Sequence, residues 1–260
     1  MPPGRDRTFD LFNEPRLYPS LQHFSAMFLG HFGLGFGAKT AQPRVSLGTL
    51  FLATQFADLL WPNLLLLGIE RVRVVPGLMT VSAFDFVHYP FSHSLAMDLL
   101  WGLLLGLGYW LLRRNAGGAL LVGLLVPSHW LLDLLVHRPD LPLFPGASPL
   151  LGLGLWNSMV GTQVAEALVF FGGLYLYLRR TRARNRRGRY GVWGLVALLL
   201  LIHVSALLSP EPTSTAAIGW GCQLLWLPVL LAYWTDRHRE TAASEAISAE
   251  TRLVSAPSIS

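Results

Sequence analysis

The chain has 260 residues, of which 52% are hydrophobic and only 13% are charged, and its mean hydropathy is +0.45. A soluble domain carries about 25% charged residues, so this composition excludes an ordinary water-soluble protein and predicts a polytopic membrane protein. The net charge of +5 is concentrated in one run, because seven arginines lie between Arg179 and Arg189. A basic loop between membrane spans is the usual topology signal, so we expect no nucleic-acid partner. The only cysteine, Cys222, excludes an internal disulfide and a Cys-rich zinc site.

In chain order, we divide the sequence into a polar N-terminal segment (1–19), a transmembrane helical domain (20–236) and a disordered cytoplasmic tail (237–260). The fold class predicted for the middle region is an all-α bundle of about seven transmembrane helices, since a span needs about 20 apolar residues. The apolar stretches are residues 21–38, 45–69, 94–112, 117–136, 158–178, 190–208 and 216–234. The first is the weakest, because His23, His31 and four glycines interrupt it.

Basic residues predict the orientation of these spans. With the arginine run inside, fourteen of the twenty basic residues fall on the cytoplasmic side, among them Lys39, Arg44 and Arg113. We therefore expect a multi-pass protein of the cell membrane with its N-terminus outside and its C-terminus in the cytoplasm.

Ionisable side chains inside the predicted spans cost about 2.5 to 3.5 kcal/mol each on insertion scales, and they are functional-site candidates for that reason. His129 and Asp133 are four residues apart and therefore share one face of a helix. The predicted orientation places most of these groups in the outward half of the protein. The acids and histidines in the spans or their connections are Asp58, Asp85, His88, His93, Asp98, His129, Asp133, His137, Asp140 and Glu166.

Imidazole nitrogens and carboxylate oxygens form the ligand set expected for a divalent metal ion, zinc or manganese here. We expect a site made of His88, His93, His129 and Asp133, with Asp58 and His31 as further ligands or as partners of ligands. A bound ion would also stabilise carboxylates in an apolar environment. The simpler interpretation of a single buried histidine or acid is a hydrogen bond between helices, and it stays open for His31, Asp98 and Glu166.

Two segments carry a family resemblance: His88-Tyr-Pro-Phe-Ser-His93-Ser and Ser128-His129-Trp-Leu-Leu-Asp133. They resemble the membrane-bound metal-dependent hydrolases of bacteria, and other stretches within residues 25–180 resemble an uncharacterised subgroup of polytopic bacterial membrane proteins. The resemblance implies a metal site whose residues fall at matching places, namely His31, Asp58, His88, His93, His129 and Asp133. The chain departs from the family pattern at Tyr89, where the family has arginine, and at Ala57-Asp58-Leu-Leu, where the family has a double-acid motif.

A hydrolase of this kind uses a divalent ion to acidify water and to polarise an acyl or phosphoryl oxygen. Asp58, Asp133 or Glu166 is the expected proton acceptor. A site near the outer face suits a lipid-like phosphoester or ester that enters from the membrane lipid.

Three alternatives stay open at this point. Pro127-Ser-His129 and His129-x-x-x-Asp133 are fragments of the type-2 phosphatidic acid phosphatase pattern, but the rest of that pattern is absent. Buried acids and histidines also build transport relays, although the inner halves of the fourth and fifth spans are almost wholly apolar. Finally, a metal or a polar cluster could tie helices together in a non-enzymatic structural or sensing protein. The metal, the substrate and the oligomeric state are left open by the sequence.

Overall fold

The computed structural model describes residues 28–241, and helices make up most of that part of the chain. The helices are α1 (Leu29–Ala38), α2 (Leu47–Thr54), α3 (Phe56–Leu66), α4 (Pro90–His93), α5 (Leu95–Arg113), α6 (Ala116–Val136), α7 (Met159–Arg180), α8 (Arg186–Leu208), α9 (Thr215–Cys222) and α10 (Trp226–Asp236). Six short strands form three antiparallel pairs: β1 (Arg71–Val74) with β2 (Phe84–His88), β3 (Leu141–Pro142) with β4 (Leu150–Leu151), and β5 (Thr181–Ala183) with β6 (Arg239–Thr241).

Within residues 28–241, five helical segments are long and apolar enough to cross a membrane: α5, α6, α7, α8 and the continuous stretch Thr215–Asp236 that contains α9 and α10. The prediction of a helical, membrane-type protein is confirmed to this extent. The count of about seven spans is not confirmed. The described part of the first predicted span is α1, with only 10 residues, and the second predicted span is divided into α2 and α3. Residues 21–27, including His23, lie outside the described residues.

Polar residues decide where most of these helices begin. Ser46, Ser94, Ser158 and Ser214 each accept a hydrogen bond from a backbone N–H in the first turn of the helix that follows, as do Asn115 and Asn185. Such caps satisfy donors that have no partner within the helix. The boundary between α2 and α3 has a different origin, since Gln55 leaves helical geometry with φ −106° and ψ 9°.

Close packing of small residues holds α1 against α7. A Cβ atom added at Gly33 would collide with the backbone of Val169 and Phe170, and one added at Gly173 would collide with the backbone of Gly33. The two helices therefore approach nearly to backbone contact, as the glycines of the first stretch suggest. The main apolar core extends from this contact and includes the fully buried rings of Phe32, Phe36, Phe51, Phe170 and Tyr177.

The chain runs up and down the bundle, so its connections collect at two ends. The arginine end contains residues 39–46, 114–115, 181–185 and 237–241, where Lys39 Nζ donates to Asp236 Oδ2 at 2.7 Å and β5 pairs with β6. The hairpin end contains residues 67–94, 137–158 and 209–214, where Val81 N donates to Trp156 O at 2.9 Å.

The predicted disordered tail needs one correction. Residues 239–241 form β6, and the guanidinium of Arg239 donates to the carbonyl oxygens of Thr181 and Gly188, so this part of the tail is held by β5 and the start of α8. Residues 242–260 lie outside the described residues, as do residues 1–27.

Candidate metal centre

Five of the predicted site residues meet in one buried cluster toward the hairpin end. His31 comes from α1, Asp58 from the first turn of α3, and His93 from the end of α4, while His129 and Asp133 share a face of α6. The side chains are almost completely buried, except that Asp58 keeps 22% of its surface exposed. Residues that are up to 102 positions apart in sequence are thus brought into contact.

Asp133 lies at the centre of the cluster. Its Oδ1 atom is 3.2 Å from His31 Nε2, and its Oδ2 atom is 3.2 Å from His129 Nε2 and 3.9 Å from His93 Nε2. Asp58 Oδ1 lies 3.4 Å from His93 Nε2 and 3.7 Å from His129 Nε2. Both carboxylates therefore face the same pair of imidazole nitrogens.

These distances fit a shared cation. A tetrahedral ion with ligands at about 2.0 to 2.1 Å separates neighbouring ligand atoms by about 3.3 Å. The pairs formed by Asp58 and Asp133 with His129 and His93 span 3.2 to 3.9 Å. Two groups satisfy a looser test that all ligand atoms lie within 4.8 Å of one another: His93, His129 and Asp133, and His31, Asp58 and His129. In addition, buried His129 Nε2 makes no hydrogen bond within the described structure, which is the condition of an atom prepared for a ligand.

The opposite ring nitrogens of His129 and His93 are held by hydrogen bonds. His129 Nδ1 donates to the carbonyl oxygen of Thr54 at 2.9 Å, which leaves the Nε2 lone pair of the neutral ring facing the cluster. His93 Nδ1 lies 2.7 Å from Ser92 Oγ, whose hydroxyl donates to Glu70 Oε2 at 2.6 Å, so the serine oxygen is free to accept from Nδ1. Partners of this kind fix both the tautomer and the orientation of metal-binding histidines.

His31 is held differently. Its ring stacks on that of His129 with centroids 3.8 Å apart and an angle of 10° between the planes. Its Nε2 atom faces Asp133, but its buried Nδ1 atom has no hydrogen-bond partner in the described structure. The structure therefore gives His31 contact with the cluster without the orienting hydrogen bond that His93 and His129 have.

A sixth residue, His137, belongs to the cluster, although the sequence analysis did not include it among the ligands. Its Nε2 atom lies 3.9 Å from Asp133 Oδ2, and its Nδ1 atom donates to Asp140 Oδ1 at 2.9 Å. The signal was present in the sequence, because His129, Asp133 and His137 follow one another at intervals of four residues on one helix face. Ser92, Glu70 and Asp140, which orient the rings, carry no comparable signal.

A chain of ion pairs connects His137 to the surface. Arg138 bonds to both Asp140 and Asp85, and Asp85 bonds to Arg73 on β1. The Tyr89 hydroxyl also donates to Asp140, at 3.4 Å. Burial of the Tyr89 ring, together with the nearby Asp140 carboxylate, raises the pKa of Tyr89 well above its usual value, so this side chain remains a donor.

Two predicted residues lie outside the cluster. His88 ends β2, pairs with Arg71 across the hairpin, and places its ring against Phe91 at a centroid distance of 6.3 Å. Side chains alternate between the two faces of a strand, so the position of His88 in β2 decides which way its ring faces. The five-residue spacing between His88 and His93 contains no information on that direction. Glu166 accepts backbone N–H groups of Phe28 and Gly30 at 2.6 and 2.7 Å, so it caps the start of α1.

A mostly apolar cavity of about 490 Å³ adjoins the cluster. Asp58, His93, Asp133 and His137 form the polar wall on the side of the cluster, and His203, Ser205 and Ser209 are polar residues elsewhere in the lining. The remaining lining comes largely from Trp61, Phe84, Phe86 and Trp156 and from the facing parts of α8 and α9, with Leu201 and Leu224 among the lining residues that are also exposed on the outside of the bundle. Its lining therefore extends from the cluster to exposed residues on the flank of the bundle and, at Ser209 and Pro210, to exposed residues of the hairpin end.

No protein-family model matches the chain, and comparisons with curated proteins and with solved structures find no significant match. The fold and the site together define a membrane-type helical protein with buried His/Asp groups that could bind a metal ion.

Proposed function

We propose that the protein is an integral-membrane, metal-dependent hydrolase that acts on a lipid-like ester or phosphoester. The observation that carries this proposal is the group formed by His93, His129, Asp133 and Asp58. The ligand atoms of His93, His129 and Asp133 lie within 4.8 Å of one another, Asp58 lies beside them, and Asp58, His93 and Asp133 line an apolar cavity. The resemblance of the two histidine segments to membrane-bound metal-dependent hydrolases supports the same conclusion.

The residues have different parts in this proposal. His93, His129 and Asp133 are the ligands, because they are almost fully buried and both rings have their opposite nitrogens hydrogen-bonded. Asp58 is the proton acceptor, since it is the most exposed member of the cluster and lines the cavity. A divalent zinc or manganese ion would supply the Lewis acid that acidifies water and polarises the scissile group.

The first turn of α3 suits this role of Asp58. Its carboxylate lies at the N-terminal end of a helix, where unpaired backbone N–H groups favour a negative charge. The site therefore supports an ionised carboxylate that can accept a proton from water.

The internal structure favours chemistry over transport. Between the cluster and the arginine end lie the rings of Phe32, Phe36, Phe51 and Phe170, all fully buried in one apolar core. A relay through the bundle would need polar groups at this level. The polar groups of the cluster therefore serve one end of the protein, and the orientation predicted from the arginines places that end outside the cytoplasm.

Metal analysis of detergent-purified protein tests the site. We expect about one equivalent of zinc or manganese in the wild type, and a loss of at least about tenfold in metal affinity for His129→Ala and for Asp133→Ala, because each removes a ligand. His88→Ala and His203→Ala are matched controls: His88 lies outside the cluster, and His203 lines the same cavity but bonds to Gln163 instead. Equal metal content in all five proteins would contradict the proposal.

Hydrolysis tests the reaction. Wild-type protein should release product from a long-chain p-nitrophenyl ester or phosphoester, a chelator should abolish the release, and Asp58→Asn should reduce it by about 100-fold or more as expected for the loss of a general base. Protein that keeps its metal but hydrolyses neither substrate would instead support a structural metal.

A further inference from the structure

We propose that the substrate of this site is an uncharged ester of a long-chain carboxylic acid, with its carbonyl group at the His93–His129–Asp133 cluster and its hydrocarbon chain in the adjoining cavity. This inference rests on the proposed hydrolase function. The proposed function allows both carboxylic esters and phosphoesters as substrates. This inference keeps only the esters that bring no negative charge into the site.

The charge of the cavity carries the first step. No lysine or arginine is among the described residues that line the cavity, whereas Asp58 and Asp133 both line it. Two carboxylates already balance one divalent ion, so the occupied site would be neutral. A phosphomonoester would add a charge of about −1.5 to −2 at pH 7, and a buried charge without a partner is strongly unfavourable.

Within residues 28–241, the surroundings of the cavity offer no lysine or arginine that lacks an acidic partner. Arg138, the cation of the neighbouring network, is bonded to Asp85 and Asp140. Asp98, on the first turn of α5, is fully buried, and neither of its oxygens has a hydrogen-bond partner in the described structure. The site therefore favours a neutral carbonyl over an anionic phosphoryl group.

The shape of the cavity carries the second step. Its volume of about 490 Å³ falls within the range of about 300 to 1,000 Å³ that is usual for small-molecule sites. Away from the cluster its walls are mostly aromatic, aliphatic or small, with His203, Ser205 and Ser209 as the polar residues, and the lining residues Leu201 and Leu224 are 63% and 56% exposed. An acyl chain in this space would bury apolar surface along its whole length.

The reaction is a simple hydrolysis. The oxygen of a water molecule bonds to the carbonyl carbon, and the bond between that carbon and the alcohol oxygen breaks. One proton of the water passes to Asp58 and then to the departing alcohol, which leaves a carboxylic acid and an alcohol. No oxidant, reductant or further reactant is required.

Binding of a matched pair of probes tests the charge selection without relying on turnover. Dimethyl dodecylphosphonate is uncharged, whereas dodecylphosphonic acid has the same chain and phosphoryl oxygen but carries negative charge. We expect the uncharged probe to bind the metal-loaded wild type in nanodiscs at least about tenfold more tightly by calorimetry, a difference of about 1.4 kcal/mol. Ser205→Lys, which places a cation on the cavity wall, should reduce or reverse this preference.

A second pair of variants tests the position of the chain. Ala206→Trp fills the cavity and should lower the binding affinity of the uncharged probe by about tenfold. Leu208→Trp changes an exposed residue of the same helix that does not line the cavity, and it should leave the affinity unchanged. Equal or tighter binding of the acid would overturn the charge selection, and binding that is absent or indifferent to Ala206→Trp would overturn the cavity assignment. Hydrolysis of a phosphoester alone would likewise refute the substrate class while leaving the proposed hydrolase in place.

Discussion

The side chains that orient the histidines are buried as deeply as the histidines themselves. Ser92 is fully buried, and it joins His93 Nδ1 to Glu70, whose second oxygen accepts the backbone N–H groups of Phe91 and Ser92. Because every polar atom in this relay has a partner, the His93 ring has one favoured orientation. The affinity of the cluster for a metal ion therefore depends on residues that do not touch the ion.

Removal of the Ser92 hydroxyl provides a test at this scale. We expect Ser92→Ala to weaken metal binding by about 10 to 100-fold, the usual effect of losing the partner of a metal-binding histidine. The measurement is competition with a chelator of known affinity. Ser128→Ala is the control, since the Ser128 hydroxyl donates only to the carbonyl of Leu125, one turn away on the helix that carries His129. Equal affinities for the two variants would show that the relay does not orient His93.

The sequence predicts some of these residues better than others. The spacing of His129 and Asp133 places them on one helix face, and that prediction needs no tertiary information. The position of His88 depends on the pairing of β1 with β2, and the partners of the rings depend on contacts such as that of Thr54 with His129, 75 residues apart. Long-range contacts of this type leave no periodic pattern in the sequence.

Among the elements, α2 and α3 show how a short helix can position a site. An uninterrupted helix through residues 45–69 is the prediction from hydropathy, but the chain leaves helical geometry at Gln55 and starts a new helix before Asp58. The break turns Asp58 into a first-turn residue. Four of the predicted stretches, 94–112, 117–136, 158–178 and 190–208, each correspond to a single long helix, because each is uniformly apolar and begins near a capping residue.

The contact of α1 with α7 gives a prediction for two adjacent glycines. Gly173→Ala should lower the stability by about 1 to 3 kcal/mol, the usual cost of overpacking, because the new methyl group would collide with the backbone of Gly33. In Gly172→Ala the new methyl group has no neighbouring atom within 4 Å, so this substitution should leave the stability unchanged or raise it by up to about 1 kcal/mol through helix propensity. Thermal unfolding in detergent compares the variants. A Gly173→Ala protein as stable as Gly172→Ala would show that the two helices are less closely packed.

For the whole molecule, the division into two ends is the main result. The arginine run, the Lys39–Asp236 pair and the β5–β6 ribbon lie together, and the His/Asp cluster lies toward the opposite end. Charge counting predicts which end faces the cytoplasm, although the helical structure alone is compatible with either orientation. The sequence therefore predicts the class of fold more directly than the number of complete spans, and the direction of insertion stays a prediction.

Two matched alanines test the orientation. In a Cys222→Ser background, Ala147→Cys at the hairpin end should react with a membrane-impermeant maleimide in intact cells, whereas Ala183→Cys on β5 should react only after permeabilisation. Both alanines are exposed in the structure. The reverse pattern of labelling would place the cluster on the cytoplasmic side and contradict the predicted topology.

The exposed leucines that line the cavity, Leu201 and Leu224, have a consequence for exchange with the surroundings. A molecule that passes between these leucines would move between the cavity and the bilayer by lateral diffusion, without ever dissolving in water. The encounter rate would then follow the mole fraction of that molecule in one leaflet instead of its aqueous concentration. Dilution with inert phospholipid should therefore slow the reaction even when the total amount of substrate is held constant.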